Sequence, residues 1–432
     1  MKNNIVHILS GCLLISGMLT FDSCRKDPVI PSLTTSDATN VTINSLTTGG
    51  DITSDGRSMI TVSGICYGTT TGPTIENSVT TDGSMGGTFV SKLTGLTPNT
   101  MYYIRAYATN KVGTSYGNEV TATTAPPALS TLSTTAISST TINSAVSGGS
   151  ITSGGNDSVT VRGVCWATTT GPTTTNDKTT DGAGTGNFVS TLTGLHSGVV
   201  YYVRAYATNS TGTAYGDEII FSTKIADVEG NTYNTVPIGT QIWMAENLKT
   251  TKFNDNTSIP IITDNTLWEN ATSSAYCWYA NDGPTNKPIY GAIYNFYTVA
   301  TGKLCPTGWR VPSDADFQTL ESFLGMDPLQ LNSYGWRGTN QGAKMKNTTG
   351  WATGMNGTNT SGWSALPGGY RYGLSGVFND IGLLTYWWSS TGDAVNAIYR
   401  RLDGVDSTGV VMNKIYRSGV VFTGGKYIRC VR

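Results

Sequence analysis

The chain has 432 residues, of which 13% are charged, 10% are aromatic and 52 are glycine, and its formal net charge is −1. Acidic and basic residues balance and no basic block occurs, which excludes the electrostatic footprint of a nucleic-acid binder and charge-driven attachment to an anionic membrane surface. Low charge with abundant Gly, Thr and Ser suits strands and turns, and the recurrence of Tyr, Trp, Val and Ile in alternation between turns marks roughly two to four folded β-rich domains, not a disordered chain.

The N-terminal stretch MKNNIVHILSGCLLISGMLTFDSC carries one Lys, then an apolar run, then small or polar residues ahead of Cys24. This is the layout of a secretory signal, and the loop-like RKDPVIP that follows argues against a buried helix of the mature fold. Beyond Cys24 the apolar runs are only strand-length, too short to span a bilayer as a helix. A cysteine at the cleavage point resembles a bacterial lipoprotein signal, in which that cysteine is acylated. Cys12 in LSGC matches the lipoprotein box better, but it would strand LLISGMLTF behind it, so Cys24 in FDSC is the expected lipidation site. Residues 1–23 are then a signal peptide and residues 24–31 a tether. Arg25-Lys26-Asp27 resembles the short charged tag that sends lipoproteins of Bacteroidota-type bacteria to the outer cell face, which implies a lipid-anchored protein of the outer membrane.

Residues 93–110, LTGLTPNTMYYIRAYATN, and 192–209, LTGLHSGVVYYVRAYATN, agree at 12 of 18 positions, and Cys66 to Cys165 and Gly49 to Gly148 are both 99 apart. A tandem duplication with a period near one hundred points to a sandwich domain, because solenoid repeats are much shorter. Alternation puts Ile104, Ala106 and Ala108 on an inward face and Tyr103, Arg105 and Tyr107 outward. The spacing resembles strand F of a fibronectin type III domain, with Tyr102 and Tyr201 as corner tyrosines, although Ile43 and Ile142 stand near the place of the usual strand B tryptophan. The copies are expected at residues 32–125 and 131–224, acting as a stalk. Cys66 and Cys165 read as buried small hydrophobes, and His196 as a solvated turn residue.

From Asp227 the composition changes, with nine of the ten tryptophans lying beyond it. Ser313 as N-cap, Asp316 three residues on, an apolar face of Phe317, Leu320, Phe323 and Leu324, and Gly325 as terminator predict a helix in VPSDADFQTLESFLG. A second helix is predicted in YGAIYNFYTVATG, with short strands elsewhere. Six ordered segments, among them DVEGNTYNTVPIGTQIWMAENLKT, YCWYANDG, YGAIYNFYTVATGKLCPTGWRVPSDADF and YWWSST, make residues 227–432 resemble the Fibrobacter succinogenes major paralogous domain. The order of helices and cysteines is similar to the C-type-lectin-like fold. The fold class expected is therefore multidomain: two all-β immunoglobulin/fibronectin type III-like sandwiches, then an α+β C-type-lectin-like domain. The resemblance implies a Cys305–Cys430 disulfide, with Cys277–Cys305 as the competing arrangement.

Beyond Asp227 there is no histidine, so a Ser-His-Asp triad lacks a part, and clustered metal ligands are missing too. No catalytic residue, metal or cofactor is expected. Trp351, Trp363, Trp387 and Trp388 lie among Gly, Asn and Ser, where exposed rings would stack on sugars or contact proteins; as core residues they would instead hold a small domain together. The expectation is a lipid-anchored surface protein that presents its C-terminal head to a glycan or protein ligand for adhesion. The alternatives are an assembly component of a surface complex and, behind it, a carbohydrate-active enzyme.

Overall fold

The computed structural model describes residues 26–392 and 396–432, so the signal peptide and Cys24 lie outside the described residues. The chain forms one compact unit ending at Pro127 and a second running from Ala128 to Arg432. The first is a two-layer β-sandwich. Ser32–Thr39, Ser45–Ser54 and Gly87–Thr94 make one sheet; Ser78–Val79, Val62–Gly68, Met101–Thr109 and Thr114–Tyr116 make the other, with Val120–Thr123 also paired to Met101–Thr109. Leu46, Ile65, Leu93, Ile104 and Ala106 fill the space between the sheets.

The second copy repeats this architecture at an offset of 99, with Val200–Asn209 in the place of Met101–Thr109. In both copies the corner tyrosine hydroxyl accepts a backbone N–H, Tyr102 from Thr97 and Tyr201 from His196, each at 3.0 Å. Ile104, Ala106 and Ala108 are buried as alternation predicts, but so is Tyr107, on the face assigned to solvent. Its cross-strand partner is Gly64, which leaves a slot for the ring, and its hydroxyl donates to the Thr80 carbonyl at 2.8 Å. Burial pushes the Cys66 and Cys165 thiols up to about 11, as befits packing groups.

Within the second unit, the second sandwich and the C-terminal domain are fused. Ile225–Ala226 pairs with Thr232–Tyr233, and Ile225 is buried in the core of the C-terminal domain. The Thr235 hydroxyl lies 2.7 Å from Ser222 Oγ and 2.9 Å from the Thr223 carbonyl, and Arg432 donates to the Gly198 carbonyl at 3.3 Å. The Trp309 ring packs on Gly198 so closely that a Cβ there would lie 2.8 Å from it. Gly198 stands where the first copy has Asn99, and both residues adopt positive φ. The two copies diverge where one of them carries a neighbour.

The C-terminal domain is built on a six-stranded sheet, in the order Gly335–Arg337, Ile415–Val421, Asn396–Asp403, Leu384–Gly392, Gly368–Arg371, Phe378–Ile381. The Asp314–Phe323 helix starts with the predicted capping box of Ser313 and Asp316. Phe317, Leu320 and Leu324 are buried, whereas Phe323 is exposed. The second predicted helix shrinks to Phe296–Ala300, capped by Asn295, because Gly291 ends a preceding helix, Gly283–Tyr290, and Ile293–Tyr294 is a strand. The Cys305–Cys430 disulfide is present, with Cα atoms 5.9 Å apart, and Cys277 is a free, buried thiol pushed up to about 12 by burial.

Candidate functional site

Strand alternation gives the six-stranded sheet two chemically distinct faces. On the face toward the Asp314–Phe323 helix, Arg337, Arg400 and Arg417 meet two carboxylates of that helix. Glu321 accepts from Arg337 at 2.8 and 2.9 Å and from Arg400 at 2.6 Å. Asp314 accepts from Arg400 at 2.7 Å and from Arg417 at 2.7 and 2.9 Å. Burial alone would raise the Asp314 carboxyl, but the Arg417 and Arg400 interactions outweigh it and hold the group at about 2. A carboxylate so stabilised, with its oxygens committed to arginine, is unsuited to donate a proton in glycoside hydrolysis. This network organises the interior. Among the described residues no group of three or more His, Cys, Asp or Glu is placed to hold a metal ion, and no helix is long and apolar enough to cross a membrane.

The tryptophans expected to contact ligand lie inside. Trp363, Trp387 and Trp388 are fully buried and Trp351 is 5% exposed. Trp363 packs against Trp243 and Trp387, with ring centroids 4.7 and 6.1 Å away. The indole N–H groups of Trp351, Trp387 and Trp388 donate to the Ala365 carbonyl, Asn247 Oδ1 and the Tyr294 carbonyl at 2.8, 2.8 and 2.9 Å. The ligand-binding role expected for these four residues is therefore corrected. A domain with so many loops and so few helices takes its core volume from large rings, and three of these four buried indoles find acceptors there, the Trp363 N–H having none.

The opposite face carries aromatic side chains that sequence reasoning passed over. Trp336, Tyr416, Arg401 and Tyr386 are successive cross-strand partners and form one row across four strands. Tyr370 extends it, its ring 4.7 Å from that of Tyr386, and Tyr399 sits beside it, 5.2 Å from Tyr386 and 6.3 Å from Tyr416. Tyr386 is buried, while Trp336, Tyr370, Tyr399, Arg401 and Tyr416 are half-buried and keep part of their surface open. The Arg401 guanidinium lies among the rings, 5.4 Å from Tyr386, 5.6 Å from Trp336 and 5.8 Å from Tyr416. It donates through Nε and Nη2 to both carboxylate oxygens of Asp403. Burial raises the Asp403 carboxyl more than Arg401 lowers it. Beside this pair a cleft of about 650 Å³ opens, lined by Trp336, Asp380, Arg401, Asp403, Asp406 and Ser407 among others.

At the inner end of the row, Lys426 Nζ lies 4.5 to 4.7 Å from the ring centres of Trp388, Tyr399 and Tyr386. Burial, with a contribution from the charge of Arg401, pushes this ammonium down to about 7.

Residues 236–432 match the Fibrobacter succinogenes major domain. The six-stranded sheet, the Asp314–Phe323 helix, both cysteines of the disulfide and the aromatic row all lie inside the matched segment, and the two sandwiches lie before it. No curated protein matches the chain. Among solved structures, the sensor domain of the anti-sigma factor RsgI4 of Pseudobacteroides cellulosolvens is similar over 23% of this chain and 97% of its own, at 16% identity and a TM-score of 0.18.

The signal that would have found the row is the alternation in NAIYRRLD, which places Tyr399, Arg401 and Asp403 on one side, with IYRSG repeating the Tyr-Arg pattern on the next strand.

Proposed function

We propose that the protein is a surface lipoprotein, acylated at Cys24 and held at the outer membrane, whose major domain binds a glycan or protein ligand noncovalently. In this reading the two sandwiches are fibronectin type III-like spacers and the major domain is a C-type-lectin-like head. The corner tyrosines of both copies support the first assignment. The disulfide from the stretch between the helices to the end of the chain supports the second.

The observation that carries the functional reading is the row from Trp336 to Tyr370 on the sheet face away from the helix, with a cleft of about 650 Å³ at its edge. Half-open aromatic faces beside a few convergent polar groups are what a binding surface needs, and the volume falls within the usual range of roughly 300–1,000 Å³ for small-ligand sites. The test is a glycan and matrix-protein array probed with the full chain and with a Trp336→Ala, Tyr416→Ala variant. Binding by the parent that drops at least tenfold in the variant is the expected result. Equal binding by the two proteins would remove this face as the contact surface.

A further inference from the structure

Resting on that reading, the geometry points to a neutral saccharide as the ligand of the cleft between Trp336 and the Arg401–Asp403 pair. Three carboxylates, Asp380, Asp403 and Asp406, line the cleft against one cation, Arg401. A uronate or sulfated glycan would bring its negative charge against this excess, in a site partly shielded from water where repulsion is strong.

A cationic ligand would meet the exposed Asp380 carboxylate but not a stacking place among the rings. The place a cation would take among the rings is held by Arg401, and both oxygens of Asp403 already accept from it. Asp406 is engaged within its own turn, accepting from the Thr408 hydroxyl at 2.6 Å and from the Val410 N–H at 3.0 Å. These groups are held in position yet not exhausted. A carboxylate has about four lone-pair sites and a guanidinium five N–H donors, and Arg401 gives Asp403 only its Nε and Nη2.

Asp403, Asp406, Arg401 and Ser407 supply acceptors and donors to the cleft lining, and Trp336, Leu383, Leu384, Val405 and Met412 supply its apolar part. Adjacent sugar hydroxyls, each both donor and acceptor, complement the polar groups, and the C–H face of a pyranose complements the apolar ones. The row runs across four paired strands, so these groups are presented on a stiff support and little ordering is lost on binding.

The experiment is affinity electrophoresis of the full chain through gels containing a soluble neutral β-glucan, a galactomannan, polygalacturonate or chitosan, at low and moderate salt. Ser407→Trp, from the exposed rim of the cleft, and Trp336→Ala are run beside the parent, with Trp336→Tyr as a variant that keeps a ring. The expected result is retardation by a neutral polysaccharide that persists at moderate salt, weakens roughly tenfold or more in S407W and W336A, and is largely kept in W336Y. Variant-sensitive retardation by polygalacturonate or chitosan alone would overturn the neutral class while leaving the glycan reading intact. No retardation by any of the four, with array binding to protein, would overturn both.

Discussion

The seam between the second sandwich and the C-terminal domain offers a test with an internal control. Gly198→Asn installs the residue that the first copy carries at the same position. Asn99 adopts φ 48° and Gly198 φ 65°, so the backbone conformation is one that asparagine takes in this very fold and tolerates better than other non-glycine residues. The added side chain, however, meets Trp309, whose Cζ2, Nε1 and Cε2 atoms lie 2.8, 3.2 and 3.3 Å from the new Cβ. Trp309 is 8% exposed and belongs to the same core as Ile225, Cys305 and Cys430, so the ring has little room to retreat. Overpacking of this kind costs about 1–3 kcal/mol. For a unit of this size that lowers the melting temperature by a few degrees, roughly 2–4 °C per kcal/mol. Nine of the ten tryptophans lie beyond Asp227, so thermal unfolding of the full chain followed by tryptophan emission reports the C-terminal domain. Asn99→Gly, the reciprocal change, should leave that transition in place. A G198N protein within about 0.5 kcal/mol of the parent, the ordinary scatter of surface changes, would refute the claim that the seam is closely packed.

Three further outcomes follow from the C-terminal domain. Replacing both Cys305 and Cys430 by Ala opens a loop of 125 residues and should cost about 5 kcal/mol in the chain-entropy model, read as a fall in the urea midpoint of tryptophan emission. Glu321→Gln leaves Arg337 and Arg400 buried without their shared counter-charge and should destabilise by about 3–5 kcal/mol, measured the same way; a loss below about 1 kcal/mol would show that the network is not needed for folding. Lys426 titrates near 7 in the fold against 10.5 unfolded, so between those values the unfolded chain binds more protons and stability rises with pH, whereas below about 7 both states are charged and the term stays constant. At about 1.4 kcal/mol per pKa unit, Lys426→Met should remove a slope worth up to about 5 kcal/mol, less what the three rings return to the charged form, and should raise the urea midpoint at neutral pH.

What was legible in the sequence was what local chemistry decides. The duplication shows as matching letters at a constant offset, and the Ser313/Asp316 box states its own hydrogen bonds. The β-rich, multidomain class follows from composition and turn spacing. What stayed hidden depends on partners distant in the chain. Tyr107 is inside because Gly64, 43 residues earlier, leaves room for it, and Gly291 divides a helical-looking segment because the chain must turn there into Ile293–Tyr294. Gly198 has meaning only beside Trp309, 111 residues away.

The candidate site was hidden for a sharper reason, visible in the neighbouring residues Arg400 and Arg401. The rule that charge marks the surface treats them alike, yet Arg400 is 1% exposed and bound to Asp314 and Glu321, while Arg401 is more open among aromatic rings on the other face. Only the pairing of four strands decides which arginine meets carboxylates and which meets Trp336, Tyr386 and Tyr416. The tryptophan-dense composition pointed to contact with a partner, but large rings also supply core volume to an interior with few helices, and Trp351, Trp363, Trp387 and Trp388 lie inside. Tyrosine, with a polar tip that tolerates water, makes most of the outward row. The two faces also depend on each other: the arginine–carboxylate network fixes the register of Arg400 and Arg417, and through it the alignment of Arg401 with Tyr416 next to them. A substitution that loosens the buried network should therefore weaken ligand binding at the open face as well as stability, even though none of its residues lines the cleft.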